Sequence, residues 1–141
     1  MKNTLLKEIN KPDSRLELTG MNGAEKGFVI SQLCRDMDTT VVVIVSDHKK
    51  AMRFMEDISF FLPYLPEKKS RLLYFPGYHI LPFKSLSYHG ATAAKRLSVL
   101  NHLISGRAHH LVVTSVDTLL QKLIPRKTLA DAQEPAATRS S

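Results

Sequence analysis

Gly20-Met21-Asn22-Gly23-Ala24-Glu25-Lys26-Gly27 is the stretch whose reading decides the fold. It has the outline of a phosphate-binding loop, whose pattern is G-x-x-x-x-G-K-[ST] between a strand and a helix. In a working loop the glycines let backbone N–H groups curl round the phosphates, and the helix N-terminus adds its positive end. The lysine reaches the β and γ phosphates and the hydroxyl binds magnesium. Here Gly20 and Lys26 fall at the required spacing, but Glu25 replaces the second glycine and Gly27 replaces the hydroxyl residue. A carboxylate facing a polyphosphate adds like-charge repulsion, and magnesium loses its anchor. The plainer alternative is that Gly20 and Gly23 merely form a strand-to-helix turn. Nor do Val45-Ser46-Asp47, Tyr74-Phe75-Pro76 or Val113-Thr114-Ser115 place paired carboxylates after a strand. Hydrolysis, a catalytic residue and a bound cofactor are therefore not expected.

Outward from the loop, strand and helix patterns alternate, the signature of a parallel sheet covered by helices. Asn3 to Ile9 reads as a short amphipathic helix broken at Pro12-Asp13, and Arg15 to Thr19 as a strand leading into the loop. Glu25 to Arg35 is predicted helical, with Phe28, Val29, Leu33 and Cys34 facing inward. Thr40 to Val45 is a β-branched run without alternation, as for a strand buried on both faces. Ser46 and Asp47 can cap a helix from Lys49 to Phe61, with Met52, Met55, Ile58 and Phe61 as its inner stripe. Arg71 to Phe75 is the third strand, and Pro76-Gly77 opens an irregular stretch reaching Gly90. Thr92 to Ser105 is a helix with Leu97, Leu100, Leu103 and Ile104 as its apolar positions, and Gly106 is placed to end it. His110 to Thr114 is the fourth strand. Ser115 can cap a last helix, Val116 to Ile124, stopped by Pro125. From about Thr128 the composition shifts to Ala, Pro, Thr and Ser, so the domain is expected over 1–128 and a disordered tail over 129–141.

The chain has 141 residues, about one domain. Its longest aliphatic run, Val41 to Val45, is far short of the roughly 20 residues of a membrane span. Met1 to Asn10 lacks the apolar core of a secretory signal. The single cysteine, Cys34, excludes an internal disulfide and fits a reducing cytoplasm. The net charge of +7 is uneven: residues 1–67 carry a balance of −1 and residues 68–141 one of +8. That asymmetry suits contact with nucleic acid or an acidic protein surface, or a merely solvated basic face.

Among other constellations, His79, His89, His109 and His110 invite a metal reading. No pair of them has ligand spacing on a helix, and His109 and His110 face opposite sides of a strand, so no metal is expected. Ser115, His89 and Asp117 can be written as a hydrolase triad, but no G-x-S-x-G elbow supports it. Lys49, Lys50 and Arg53 open a helix just after a strand end, the usual ligand edge of an open α/β sheet, and Lys84, Lys95 and Arg96 follow later. Lys49, Lys50, Arg53, Lys95 and Arg96 are thus candidate contacts to nucleic-acid phosphates or a partner. Tyr78, Phe83 and Tyr88 offer either stacking surface or anchors for the long loop.

The ordered set of short motifs also resembles a known family. Leu18-Thr19-Gly20, Val43-Ile44-Val45-Ser46-Asp47-His48-Lys49-Lys50-Ala51, Phe75-Pro76-Gly77, Leu81-Pro82-Phe83, Ser87-Tyr88-His89, Arg96 to Leu100, Val112 to Val116 and Leu119 to Leu123 look like the opening of the bacterial transcription-repair coupling factors (Mfd). The likeness covers roughly residues 5 to 128. It implies a fold similar to the first domain of UvrB, a helicase-like domain, present there as a degenerate copy without ATPase activity. It further implies recruitment of nucleotide excision repair through UvrA to stalled RNA polymerase, and a part in holding the full-length protein repressed. The family's main UvrA-contacting surface, its polymerase-binding domain and its DNA translocase motor all lie beyond the likeness. The chain thus reads as either a piece of a coupling factor or a truncated relative.

The expected fold is α/β, a P-loop NTPase/helicase-like three-layer domain with a mostly parallel sheet of about four strands. The expected function is a non-catalytic, cytoplasmic repair module with UvrA and the other coupling-factor domains as partners. RNA polymerase and DNA are reached only through the full-length protein. Two alternatives stand beside it: a nucleic-acid-binding module, and one half of an ATP-dependent DNA helicase or translocase.

Overall fold

In the computed structural model, the residues described are 7–9, 11–37, 39–61, 71–78, 87–106 and 109–131. The elements run α1 (Glu25–Asp36), β1 (Val41–Val45), α2 (His48–Phe61), β2 (Arg71–Tyr74), α3 (Ser87–Ser105), β3 (His110–Ser115), α4 (Val116–Leu119) and α5 (Arg126–Asp131). The three strands form one parallel sheet in the order β1-β3-β2. Val43 lies beside Val113, and Leu73 beside Val112. The central strand β3 is buried along its whole length, as its Leu111-Val112-Val113 run requires.

One face of the sheet carries the main core. Leu111, Val113 and Tyr74 meet Cys34 of α1 and Ala51 and Ile58 of α2 there. On the other face α3 lays Val99 and Leu100 over Leu73, Phe75 and Val112. Each connection is helical, as parallel strands demand.

Several expectations need correction. The sheet has three strands among the described residues, because Arg15 to Thr19 finds no ladder partner and stays outside it, with Leu16 and Leu18 exposed. β1 is not buried on both faces: α3 covers β2 and β3 only, and Val42 and Ile44 remain 53% exposed. On α2 the inner stripe is Ala51, Phe54, Met55 and Ile58, while Met52 faces out. The spacing i, i+3, i+6, i+9 drifts round a helix of 3.6 residues per turn, whereas i, i+3, i+4, i+7 holds one face. Phe28 is likewise exposed, edge-on to Phe61 at 5.5 Å. Leu97 and Leu103 of α3 are exposed, and Val99 takes the inner position.

The ends differ too. α3 begins at Ser87, within the stretch read as irregular. It ends before Gly106, whose φ of +59° is the left-handed conformation a glycine terminator supplies. The helix after β3 stops at Leu119 rather than Ile124. There the Gln121 side chain is drawn to the peptide of Tyr78, accepting from its N–H at 2.8 Å and donating to its carbonyl at 3.3 Å. A further helix, α5, crosses the expected boundary at 128 and buries Leu129. The stretch 132–141, most of the expected tail, lies outside the described residues, as do His79, Phe83, Lys84 and the side chains of Tyr88 and His89. No helix among the described residues is long and apolar enough to cross a membrane.

Candidate functional site

The loop Gly20 to Gly27 does lead into a helix, and Gly20 turns the chain at φ +83°. Ala24 stands at the N-cap without a side-chain hydrogen bond, so the first N–H groups of α1 are capped only by the turn, where Lys26 N–H meets the Gly23 carbonyl at 3.3 Å. A cleft of about 690 Å³ opens here between the loop, β1 and α2. Its apolar walls include Leu18, Val29, Val43 and Phe54, and its charged groups are Lys26, Lys50, Arg53 and Asp57.

Two groups of residues that look separate in sequence therefore meet. Lys26 of the loop shares one cleft with Lys50 and Arg53 of α2. Arg53 and Asp57 stand four residues apart, with Lys50 three before Arg53, so one helix face presents all three. That spacing was the signal for Asp57, which sequence reading passed over. Lys50 Nζ donates to Ser46 Oγ at 2.9 Å, and its backbone N–H donates to Asp47 Oδ1 at 2.9 Å, the cap that Asp47 was expected to supply. That N–H first, then the Ser46 hydroxyl, hold the Asp47 carboxyl below its ordinary range.

Glu25 and Gly27 acquire physical reasons. A Cβ on Gly23 would stand 2.8 Å from Glu25 Oε2, so the carboxylate folds back over the loop. Gly27 is buried where α1 crosses α2, and a Cβ there would approach Asp57 Cβ to 3.0 Å and the Asp57 carbonyl carbon to 3.3 Å. The position where a phosphate-binding loop keeps its magnesium hydroxyl is thus pressed against a neighbouring helix.

The other candidates sit elsewhere. Lys49 is exposed and does not line the cleft. Lys95 Nζ lies 5.1 Å from the centroid of the Tyr74 ring. Arg96 is only 4% exposed, sandwiched between Phe75 and Tyr78 at 4.4 and 4.6 Å. Its Nη1 donates to the Pro76 carbonyl at 2.7 Å and to Gln121 Oε1 at 3.2 Å. It is a clamp on the chain after β2, with no face left for a phosphate; burial pulls its pKa down, and Tyr78 pulls it back up. Tyr78 is an anchor of the same clamp.

Tyr74 Oη and His48 Nδ1 lie 2.6 Å apart at the C-terminal edge of the sheet. Burial, then Asp117, push the Tyr74 hydroxyl pKa up, keeping it protonated. Ser115 occupies the N-cap of α4, but its hydroxyl pairs with Thr118 Oγ1 at 2.9 Å instead of capping. Among the described residues no three His, Cys, Asp or Glu side chains gather as a metal site.

These features define a class: an open parallel α/β domain with a cationic cleft at a helix N-terminus and, among the described residues, no pair of carboxylates at its strand ends. The sequence comparisons narrow it. The chain is 30% identical over 112 residues, 79% of its length, to the transcription-repair-coupling factor of Myxococcus xanthus. It is 27% identical over 107 residues, 76% of its length, to that of Rickettsia bellii, and 24% identical over 99 residues, 70% of its length, to that of Rickettsia prowazekii. The chain is thus a relative of the transcription-repair-coupling factors, and it spans 8 to 9% of the length of these three. No family model and no solved structure matches it.

Proposed function

We propose that this chain acts as a non-catalytic module of a transcription-repair-coupling factor, a cytoplasmic domain of UvrB-like, helicase-like descent. In this reading its loop is a degenerate nucleotide site kept as scaffold. The observation that carries it is Gly27, which has no hydroxyl to hold magnesium and packs so tightly on α2 that a Cβ would stand 3.0 Å from Asp57 Cβ. Glu25 puts a negative charge at the position where a phosphate-binding loop has its second glycine. The partners are UvrA and the remaining coupling-factor domains, with which the module takes part in repair recruitment and in repression of the full-length protein. RNA polymerase and DNA are engaged by the rest of that protein, including its ATP-dependent translocase. Titrating labelled chain with purified UvrA tests the recruitment role. A saturable complex is expected; no complex at any attainable concentration removes UvrA from the proposal.

The second reading, a nucleic-acid-binding module, draws on Lys26, Lys50 and Arg53 facing one cleft. It requires binding of an oligonucleotide that weakens steeply with salt, because phosphate contacts release counterions. Absence of a shift at low salt dismisses it.

A further inference from the structure

We infer that the open edge of β1 and the cleft beside it receive an extended, acidic peptide segment of a partner protein, added to the sheet as a further strand. The inference goes beyond the reading above and does not depend on membership of a coupling factor.

Among the described residues β1 pairs with β3 alone, so the N–H and C=O groups of its other edge have no ladder partner. Natural sheets blunt such an edge with charge, proline or a bulge; Val41 to Val45 has none of these. Val43, Ile44 and Val45 all line the cleft. Successive strand side chains point to opposite faces, so a cleft touching three in a row meets the strand at its edge. The unbonded backbone of β1 is therefore a wall of the cleft.

The other walls specify the guest. Leu18 and Phe54 offer apolar contact, and Ile44 adds an exposed apolar side chain on the strand itself. Lys26, Lys50 and Arg53 stand against Asp57 in the lining, and Asp47 lies 3.7 Å from Lys50 Nζ, which leaves a surplus of one positive charge. A strand with alternating side chains places apolar groups on one surface and carboxylates toward the cations on the other. A peptide offers donors and acceptors at ladder spacing, which a phosphodiester chain does not; strand addition draws its affinity from those main-chain bonds. The charges then set specificity and encounter rate.

The test uses the whole chain, 15N-labelled, and a ten-residue peptide alternating Glu with Val and Ile. Saturable amide shifts at Val41–Val45, with slowed hydrogen exchange there, are expected. The double variant Lys50→Glu/Arg53→Glu should weaken binding at least about tenfold, a difference of about 1.4 kcal/mol. Arg53→Gln, a milder change checked by its thermal melt, should weaken it less. The same peptide N-methylated at alternate amides should not bind, and its Lys-for-Glu counterpart should bind far more weakly. No binding by the acidic peptide overturns the inference, as does equal binding by either control. It is also overturned if oligothymidine or magnesium-ATP shifts these amides while the acidic peptide does not.

Discussion

Gly27 carries two meanings that only the packing separates. In sequence it is a missing hydroxyl; in three dimensions it is the point where α1 touches α2 at Asp57 and Ile58. Sequence reading could name the substitution but not the packing around it, since the neighbour that crowds a side chain lies 30 residues away. Gly27→Ala should destabilise the fold by about 1–3 kcal/mol in chemical denaturation, the usual cost of overpacking, and Gly27→Thr by more. Restoring the loop through both Glu25→Gly and Gly27→Thr therefore sacrifices the helix contact, so Glu25→Gly alone is the fair probe of residual phosphate affinity. Arg96 gives the reverse lesson. Beside Lys95 it reads as a surface cation, yet it is locked between two aromatic rings and bonded to the Pro76 carbonyl. Arg96→Lys keeps the charge but loses the planar fork. It should still cost about 2–3 kcal/mol in the same measurement, because buried acceptors lose their donors.

Helices and strands were legible where their apolar patterns are strong. β1, α2, β2 and β3 lie within one or two residues of their expected bounds, since β-branched runs and capped amphipathic runs leave little choice. What failed was face assignment: Met52, Phe28 and Val42 turn outward because the neighbours that settle orientation are distant in sequence. Arg15 to Thr19 has strand-like alternation, but a strand exists only with a partner. His110 shows an element-level consequence of burial. It is 3% exposed at the start of β3, its Nδ1 meets no hydrogen-bond partner among the described residues, and its ring lies 5.9 Å from that of His102 on α3. Burial first, then charge repulsion from His102, Arg71 and His109, depress its pKa, against a hydrogen bond to the His102 backbone that raises it. A base depressed in the folded state gains its proton first in the unfolded chain. Stability should therefore be full above the ordinary histidine value of 6.5 and fall as pH drops below it. Unfolding midpoints at pH 7.5 and 5.0 should differ in the native chain, and the difference should shrink in His110→Leu. α5 makes its own prediction: Leu129→Ala should cost about 2–4 kcal/mol, as for a buried leucine elsewhere, although residue 129 falls in the stretch read as tail.

At the scale of the whole molecule, the alternating pattern gave the α/β class and the parallel sheet, and the short motifs gave the relationship to coupling factors. The cleft itself was not legible, because it forms from Leu18, Lys26, Val43 and Arg53, four positions on four separate segments. Its charge gives the basic chain a local focus at one end of an open sheet. In the function proposed above, the cleft is the relic of a nucleotide site, and Glu25 and Gly27 stand where that chemistry needs a glycine and a hydroxyl. Isothermal titration of the chain with magnesium-ATP at millimolar concentration tests that claim most directly. The account predicts only heats of dilution. A saturable isotherm with one nucleotide per chain, abolished by Lys26→Ala in a chain that still folds, would contradict it.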